Sequence, residues 1–323
     1  MKDSIAIVVP VWNQAALLER LLATVSRQTR KPEQVIIVDS GSTDNAAEVA
    51  SVWGADVVAM GENRGFAAAA NRGIAHCSAE WVALINSDVE LNDDWLEKLL
   101  QAAVETDAWF CCGKLMASSD RARIDGTWDL IAISGCPLRA GHGQKDSSRF
   151  ACRRTIAMAP ATAAVYRKDL FTLIGGFDEE YESYLEDVDF SLRCAVRGFM
   201  GTFEPGAVAY HVGGASGGRM VHLYARNQIL LVRKLFPLKL QRKFRIRILW
   251  GRLLWGALAL RHGAFAAWVS GIASGLRTRV QPAPLEPERL EELLLNSESE
   301  IKSLNGSDTY WRLYFLFPRG ESG

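Results

Sequence analysis

The chain has 323 residues, enough to bury a substantial core as one large domain or as one domain with an appendage. Lys plus Arg and Asp plus Glu balance at 37 each, so whole-chain charge gives no argument for a nucleic-acid partner. The six cysteines (77, 111, 112, 136, 152 and 194) form no CxxC pair and no zinc-like spacing, which points to reduced structural thiols in a cytosolic setting. No signal peptide is expected, because Met1-Lys2-Asp3-Ser4 leads straight into a strand.

In chain order, Ile5 to Val9 is a β-branched run closed by Pro10, and Asn13 is placed to cap a helix with Leu17, Leu18, Leu21, Leu22 and Val25 on one face. Gln34 to Val38 is the next strand. Asp44 is placed to cap the helix that Gly54 stops. Asp56 to Met60 is a third strand, followed by an alanine-rich helix, Phe66 to His76. Trp81 to Ile85 is wholly apolar, as a strand buried on both faces should be. Helix Asp93 to Glu105 and strand Trp109 to Cys112 continue an alternation that predicts an α/β fold, a mostly parallel sheet with helices on both faces.

From about Met116 to Arg154 the periodicity fades, and loops with a short hairpin are expected. Order returns with Thr155 to Tyr166, helix Lys168 to Ile174, helix Asp187 to Val196 and two short strands, Gly201 to Phe203 and Ala207 to Tyr210. Within the helix Asp187 to Val196, Asp189 and Arg193 are spaced as an ion pair.

The region after residue 235 differs in kind. No Asp or Glu occurs from Gly206 to Leu285, while Lys239, Arg242, Lys243, Arg245, Arg247 and Arg252 interleave with Leu, Ile, Phe and Trp. Arg261 and His262 interrupt the apolar stretch Leu253 to Leu276, against a transmembrane span and in favour of basic amphipathic helices on an anionic membrane surface. The alternative is a helical subdomain packed on the sheet. Glu286 to Leu304 reads as an acidic amphipathic helix, and Tyr310 to Phe317 as an aromatic patch packed on the body. The division expected is a catalytic domain over 1–235, with halves of about 1–115 and 155–235, and a helical region over 236–323.

Four polar clusters fall at successive strand ends: Pro10 to Asn13, Asp39 to Asp44, Asn63 to Asn71 and Asn86 to Asp88. Ligands of open α/β sheets sit at such ends. No GxGxxG follows the first strand and no GxxxxGK[ST] is present, which disfavours dehydrogenase and P-loop chemistry. A nucleotide here needs its base read by side chains: Asp39 could accept from a pyrimidine N–H, and Asp88 could hold a hard cation against phosphate oxygens.

VVPVWN (Val8 to Asn13), VDSGSTD (Val38 to Asp44), NRGFAAAANRG (Asn63 to Gly73), LINSD (Leu84 to Asp88) and GGFDEEYESYLEDVDFSLR (Gly175 to Arg193) together resemble family 2 glycosyltransferases of the GT-A fold. The likeness is to the rhamnosyltransferase-like branch that builds bacterial surface polysaccharides, over roughly residues 4 to 235. It implies a nucleotide-diphosphate-sugar donor, dTDP- or UDP-linked. Pro10, Val11, Asn13, Asp39 and Ser40 would meet base and ribose; Asn63, Gly65 and Asn71 would line the pocket, with Ser87 and Arg226 also at the donor.

The resemblance also implies a divalent metal, Mg²⁺ or Mn²⁺, although Asn86-Ser87-Asp88 supplies one acid where the family often has two. Asp88 is then the ligand, with His211 as a second. Glu186 and Asp187 form the catalytic centre, Asp187 as the base of an inverting transfer. No Q-x-x-R-W motif marks a processive synthase. The expected activity is transfer of one sugar, with rhamnose as the candidate, to a polyprenol-linked or polysaccharide acceptor, by a cytoplasmic protein on the inner membrane face. The rival is a non-catalytic nucleotide-sugar-binding or assembly protein at that membrane.

Overall fold

The computed structural model describes residues 3–213, 217–305 and 308–316. Strands β1 (Ile5–Val11), β2 (Gln34–Asp39), β3 (Asp56–Ala59) and β4 (Trp81–Ile85) lie parallel in the order β3-β2-β1-β4. Helices α1 (Ala15–Ser26), α2 (Ala46–Val52) and α3 (Phe66–His76) make the crossovers. All five residues of β4 are buried. Val82 and Leu84 join the core on one face of the sheet, and Trp81, Ala83 and Ile85 join the core on the other. The period-two alternation of a strand thus explains why the run is apolar throughout.

Beyond β4, which is followed by β5 (Val89–Leu91) and α4 (Trp95–Glu105), the sheet changes sense. The added strands are β6 (Phe110–Ala117), β7 (Asp120–Gly126), β10 (Arg154–Ile156), β11 (Ala163–Arg167) and β12 (Gly201–His211). β11 is antiparallel to both β4 and β6, while β12 runs parallel to β6. β5 and β10 pair with β12, and β7 with β6. A separate hairpin of β8 (Asp129–Ile131) and β9 (Pro137–Arg139) carries the polar residues that matter below. Helices α5 (Lys168–Ile174), α6 (Glu186–Val196) and α7 (Gly218–Leu235) complete this half.

Three sequence expectations need correction. The two short strands after Gly201 are one strand, β12, whose register shifts between Glu204 and Val208. Gly113 on β6 accommodates that bulge, since a Cβ there would meet the Ala207 carbonyl oxygen at 2.1 Å. Asn13 does not cap α1: it has a positive φ of 53°, and its Oδ1 accepts from the Thr43 N–H at 2.7 Å. Asp44 serves both helices instead, accepting from Ala15 N–H at 2.9 Å and Ala46 N–H at 3.2 Å. Finally, the region from 116 to 154 holds the strand β7 in addition to the expected short hairpin, which is β8–β9.

After α7 come α8 (Leu238–Lys243), α9 (Arg245–Arg261), α10 (Phe265–Arg277), α11 (Pro287–Asn305) and α12 (Thr309–Tyr314). Among the described residues no helix is long and apolar enough to cross a membrane. α11 is fastened to the β8 segment, where Ser297 Oγ accepts from Ile131 N–H at 2.7 Å and Glu298 Oε1 from Ile133 N–H at 3.0 Å. Trp311 and Tyr314 of the aromatic patch are buried against the body; Phe317 lies outside the described residues. Cys152 is exposed, the other cysteines are buried, and all are free thiols.

Candidate active site

The first wall is made where β1 and β2 end. Asn13 N–H donates to Ser42 Oγ at 2.9 Å, so the two strand-end turns are hydrogen-bonded to each other in both directions. Asp39 is buried, with Oδ1 accepting from Ser42 N–H at 3.0 Å. That bond leaves Oδ2 for another donor. Val11 and Ser40 are buried, Pro10 is half-buried, and Ser40 N–H donates to the Val11 carbonyl.

At the end of β4, the Ser87 hydroxyl turns inward to the Gln14 side chain, joining this turn to the one after β1. Asp88 faces β12 instead: its Oδ2 lies 3.3 Å from His211 Nε2. The other ring nitrogen, Nδ1, is 2.9 Å from Asp125 Oδ2 on β7. Burial works against charge on the ring, but the hydrogen bonds and charges of Asp125 and Asp88 prevail and raise the His211 pKa to about 9. Burial likewise pushes the Asp125 carboxyl up, yet the His211 hydrogen bond, with the charges of His211 and Arg139, holds it below the usual range.

The opposite wall is the turn before α6. Glu182, Tyr184 and Leu185 all have positive φ (61°, 71° and 69°), a costly conformation for residues with side chains. Asn227 on α7 holds this turn, its Nδ2 lying within 2.9 Å of the Tyr181, Ser183 and Tyr184 carbonyl oxygens. Arg226 adds a bond to the Glu180 carbonyl at 2.8 Å and an ion pair to Glu182 at 3.2 Å. The turn also seals the start of α3: Ala67 N–H donates to the Glu182 carbonyl and Phe66 N–H to Ser183 Oγ. Gly65 allows this approach, because a Cβ there would sit 2.5 Å from the Glu182 oxygen.

These contacts place several expected donor residues in supporting positions. The Asn71 amide exchanges hydrogen bonds with the Phe177 N–H and C=O at 2.9 and 2.8 Å, Asn63 Oδ1 accepts from Gly65 N–H, and Arg226 braces the turn. Arg193 donates to Asp189 at 2.8 Å, the ion pair that their spacing predicts.

Asp187 is the second residue of α6 and is half-exposed, with Oδ2 accepting from Ala161 N–H at 3.2 Å and Oδ1 from Val188 N–H at 2.9 Å. Glu186 is buried, and its Oε2 has no hydrogen-bond partner among the described residues. Burial and then the Asp187 charge raise its pKa well above the ordinary value, which favours its neutral form. Burial and Asp187 also push Asp129 on β8 up to about 8.

Two features draw the walls together. Ala161 holds Asp187 while its neighbour Thr162 accepts from Asn86 N–H at 2.9 Å, so β4 and α6 are pinned to one step of backbone. Arg139 on β9 reaches Asp125 at 3.4 Å, Asp129 at 3.9 Å and the Thr162 hydroxyl. The Tyr184 phenol is raised first by burial, with the Glu186 and Asp88 carboxyl groups both near enough to add to the rise. Sequence reasoning missed Asp125, Asp129 and Arg139.

The donor set suits a divalent cation. A carboxylate and an imidazole point at each other, and a second carboxylate fixes the far ring nitrogen, the usual support of a metal-bound histidine. Among the described residues no three His, Cys, Asp or Glu side chains are grouped to hold a metal by themselves.

A parallel half with an Asp–His pair at its strand ends, joined to an antiparallel half presenting a helix-borne carboxylate, defines the GT-A glycosyltransferase fold. The family profile described as "Glycosyl transferase family 2" matches residues 6–174, more than half of the chain, and the protein belongs to that family of glycosyltransferases. It is 26% identical over 243 residues to N-acetylglucosaminyl-diphospho-decaprenol L-rhamnosyltransferase of Mycobacterium tuberculosis, covering 68% of this chain and 79% of that one. A mannosyltransferase of Pyrobaculum calidifontis, solved with GDP-Man and Mn²⁺, superposes with TM-score 0.54 at 17% identity, over 96% of this chain and 84% of that one. GalNAc-T7, solved with UDP, GalNAc and Mn²⁺, gives TM-score 0.62 at 12% identity, over 84% of this chain and 57% of that one. At such identities these two likenesses are of fold.

Proposed function

We propose that this enzyme moves one sugar, rhamnose, with inversion from a dTDP- or UDP-linked donor to a hydroxyl of a polyprenol-linked or polysaccharide acceptor. The observation that carries the reading is that Asp187 and Asn86, two residues before the His211-paired Asp88, are bonded to the adjacent residues Ala161 and Thr162. The named relative, whose acceptor is decaprenol-linked, supports the sugar and the acceptor class.

In this mechanism Asp39 accepts from the base N–H, and the Val11–Ser40 and Asn13–Ser42 contacts keep its turn in place. Asp88 and His211 would hold Mg²⁺ or Mn²⁺, which when bound neutralises diphosphate charge. Asp187 takes the acceptor hydroxyl proton at a carboxylate oxygen as that hydroxyl oxygen bonds to the anomeric carbon. The bond from that carbon to the diphosphate breaks on the opposite face, and nucleoside diphosphate leaves. Glu186, buried next to Asp187 in the chain, is held toward its neutral form, which limits competing negative charge. The reaction occurs at the inner face of the cytoplasmic membrane, with residues 1–235 as the catalytic domain and the later helices as its attachment. A panel of nucleotide sugars, monitored by nucleoside-diphosphate release with a polyprenyl-diphosphate-linked acceptor, tests this. Release that needs acceptor and prefers dTDP-rhamnose is expected; the absence of release with every donor of the panel, in the presence of Mn²⁺ and acceptor, would overturn it.

A further inference from the structure

α9 is apolar on two opposite faces, which a helix merely packed on a protein does not require. Its inner face carries Ile248, Gly251 and Ala259, all buried, and Trp255, which stacks on Tyr224 at 5.7 Å. The Tyr224 ring centroid lies 4.9 Å from that of Tyr184, two residues before Glu186. One side of α9 is therefore a wall of the active-site half. On the other side, Ile246, Leu249, Leu253 and Leu260 are 61%, 57%, 51% and 63% exposed, at spacings that put them on a single stripe. α10 repeats the pattern with exposed Phe265, Val269 and Leu276 at helical spacing.

The charges around these stripes are unbalanced. Lys239, Lys243 and Arg247 have carboxylate partners from α11. Among the described residues Arg242, Arg245, Arg252, Arg261 and Arg277 have none, in a stretch that contains no acid. In the sheet domain, by contrast, Arg20, Arg27, Arg30 and Arg64 are each paired with a carboxylate. Beside the α10 stripe, His222, Ser270, Ser274, Arg277 and Thr278 line a groove of about 550 Å³ with hydrogen-bond donors, a cation and no carboxylate.

We infer that the outer faces of α9 and α10 dock on an anionic phospholipid bilayer, with the stripe leucines in the acyl boundary and a headgroup phosphate in the groove beside Arg277. Apolar stripes flanked by unpaired guanidinium groups match the two attractions of an interfacial helix. A second copy of the chain fits less well, because a two-fold contact would bring like-charged arginines together. In purpose the surface rests on the proposed function: with its outer face on the bilayer, α9 keeps the active-site half that it walls close to the membrane that holds the acceptor.

The test is co-sedimentation of the full chain with vesicles of phosphatidylcholine alone and of phosphatidylcholine with phosphatidylglycerol. Wild type should bind the mixed vesicles, and less so as salt rises. Leu249→Glu with Leu253→Glu should lower partitioning at least about tenfold, and Arg277→Glu should abolish the preference for phosphatidylglycerol. All variants should keep wild-type circular dichroism and vesicle-free donor turnover. The milder pair Leu249→Ser with Leu253→Ser, read the same way, covers a glutamate variant that misfolds. Partitioning equal to wild type in either pair overturns the surface, as does a wild-type chain that runs as a dimer on size exclusion and binds no vesicles. Vesicle binding by a protein that turns over no nucleotide sugar would instead overturn the proposed function and leave the surface standing.

Discussion

At the scale of single residues, the site is organised by acids held in different charge states. Without a cation, Asp88 and Asp125 on either side of His211 favour its protonated ring, a proton that a metal held by Asp88 and His211 would displace, while burial favours the neutral form of Glu186, one residue before Asp187. The two situations have opposite causes: a charged partner in the first, desolvation beside another acid in the second. Glu186 therefore makes a stability prediction. Its folded pKa lies above its unfolded one, so its contribution is fully present below the unfolded value, near 4.5, and is lost as pH rises toward the folded value. Glu186→Gln mimics the neutral acid and removes this loss. Denaturant titrations should show the variant gaining on wild type by up to about 1.4 kcal/mol per pH unit above pH 4.5. A difference that does not change between pH 5 and pH 8 would mean that Glu186 is ionised in the native protein.

At the scale of elements, what the sequence made legible followed from strong periodicity. The helices Phe66–His76 and Lys168–Ile174 and the strand Trp81–Ile85 have the bounds that their patterns predict. β7 escaped because most of its residues are exposed and charged, so Asp125 looked like scattered surface polarity. A short hairpin is expected in this region, but β8 and β9 could not be placed because three-residue strands carry no measurable period, and Asp129 and Arg139 lie on them. The alternation Ala122-Arg123-Ile124-Asp125-Gly126 was the available signal for β7. The motif residues were visible in the sequence, but their division of labour was not: Asn71, Ser87 and Arg226 bond to other parts of the protein, which only tertiary contacts reveal. The same holds for Asn227, whose amide secures the strained turn before Asp187. Asn227→Ala should free that turn and move Asp187. Steady-state kinetics should show kcat down about ten- to a hundredfold, with nucleoside-diphosphate Kd within about twofold of wild type. Unchanged kcat would show that the turn keeps its shape without α7.

At the scale of the whole molecule, the C-terminal helices belong to the catalytic architecture as well as to the proposed membrane face. Glu298 of α11, fully buried, accepts from Ile133 N–H at 3.0 Å and from the Tyr314 hydroxyl at 2.5 Å, and pairs with Arg247 of α9 at 3.1 Å. This buried network ties α9, α11 and α12 to the segment after β8, whose hairpin holds Asp129 and Arg139. Removing these helices would uncover a charged pair and part of the core, so single exposed side chains are the better probe of membrane contact. The central claim is that donor and acceptor chemistry meet in one place, with Asp88 serving the diphosphate and Asp187 the hydroxyl. The most direct measurement is sugar transfer by Asp187→Asn, with nucleoside-diphosphate affinity in Mn²⁺ measured on the same preparation. Affinity within about twofold of wild type, with transfer down about 10²–10⁴-fold, is the predicted result. Transfer at the wild-type rate would contradict the account.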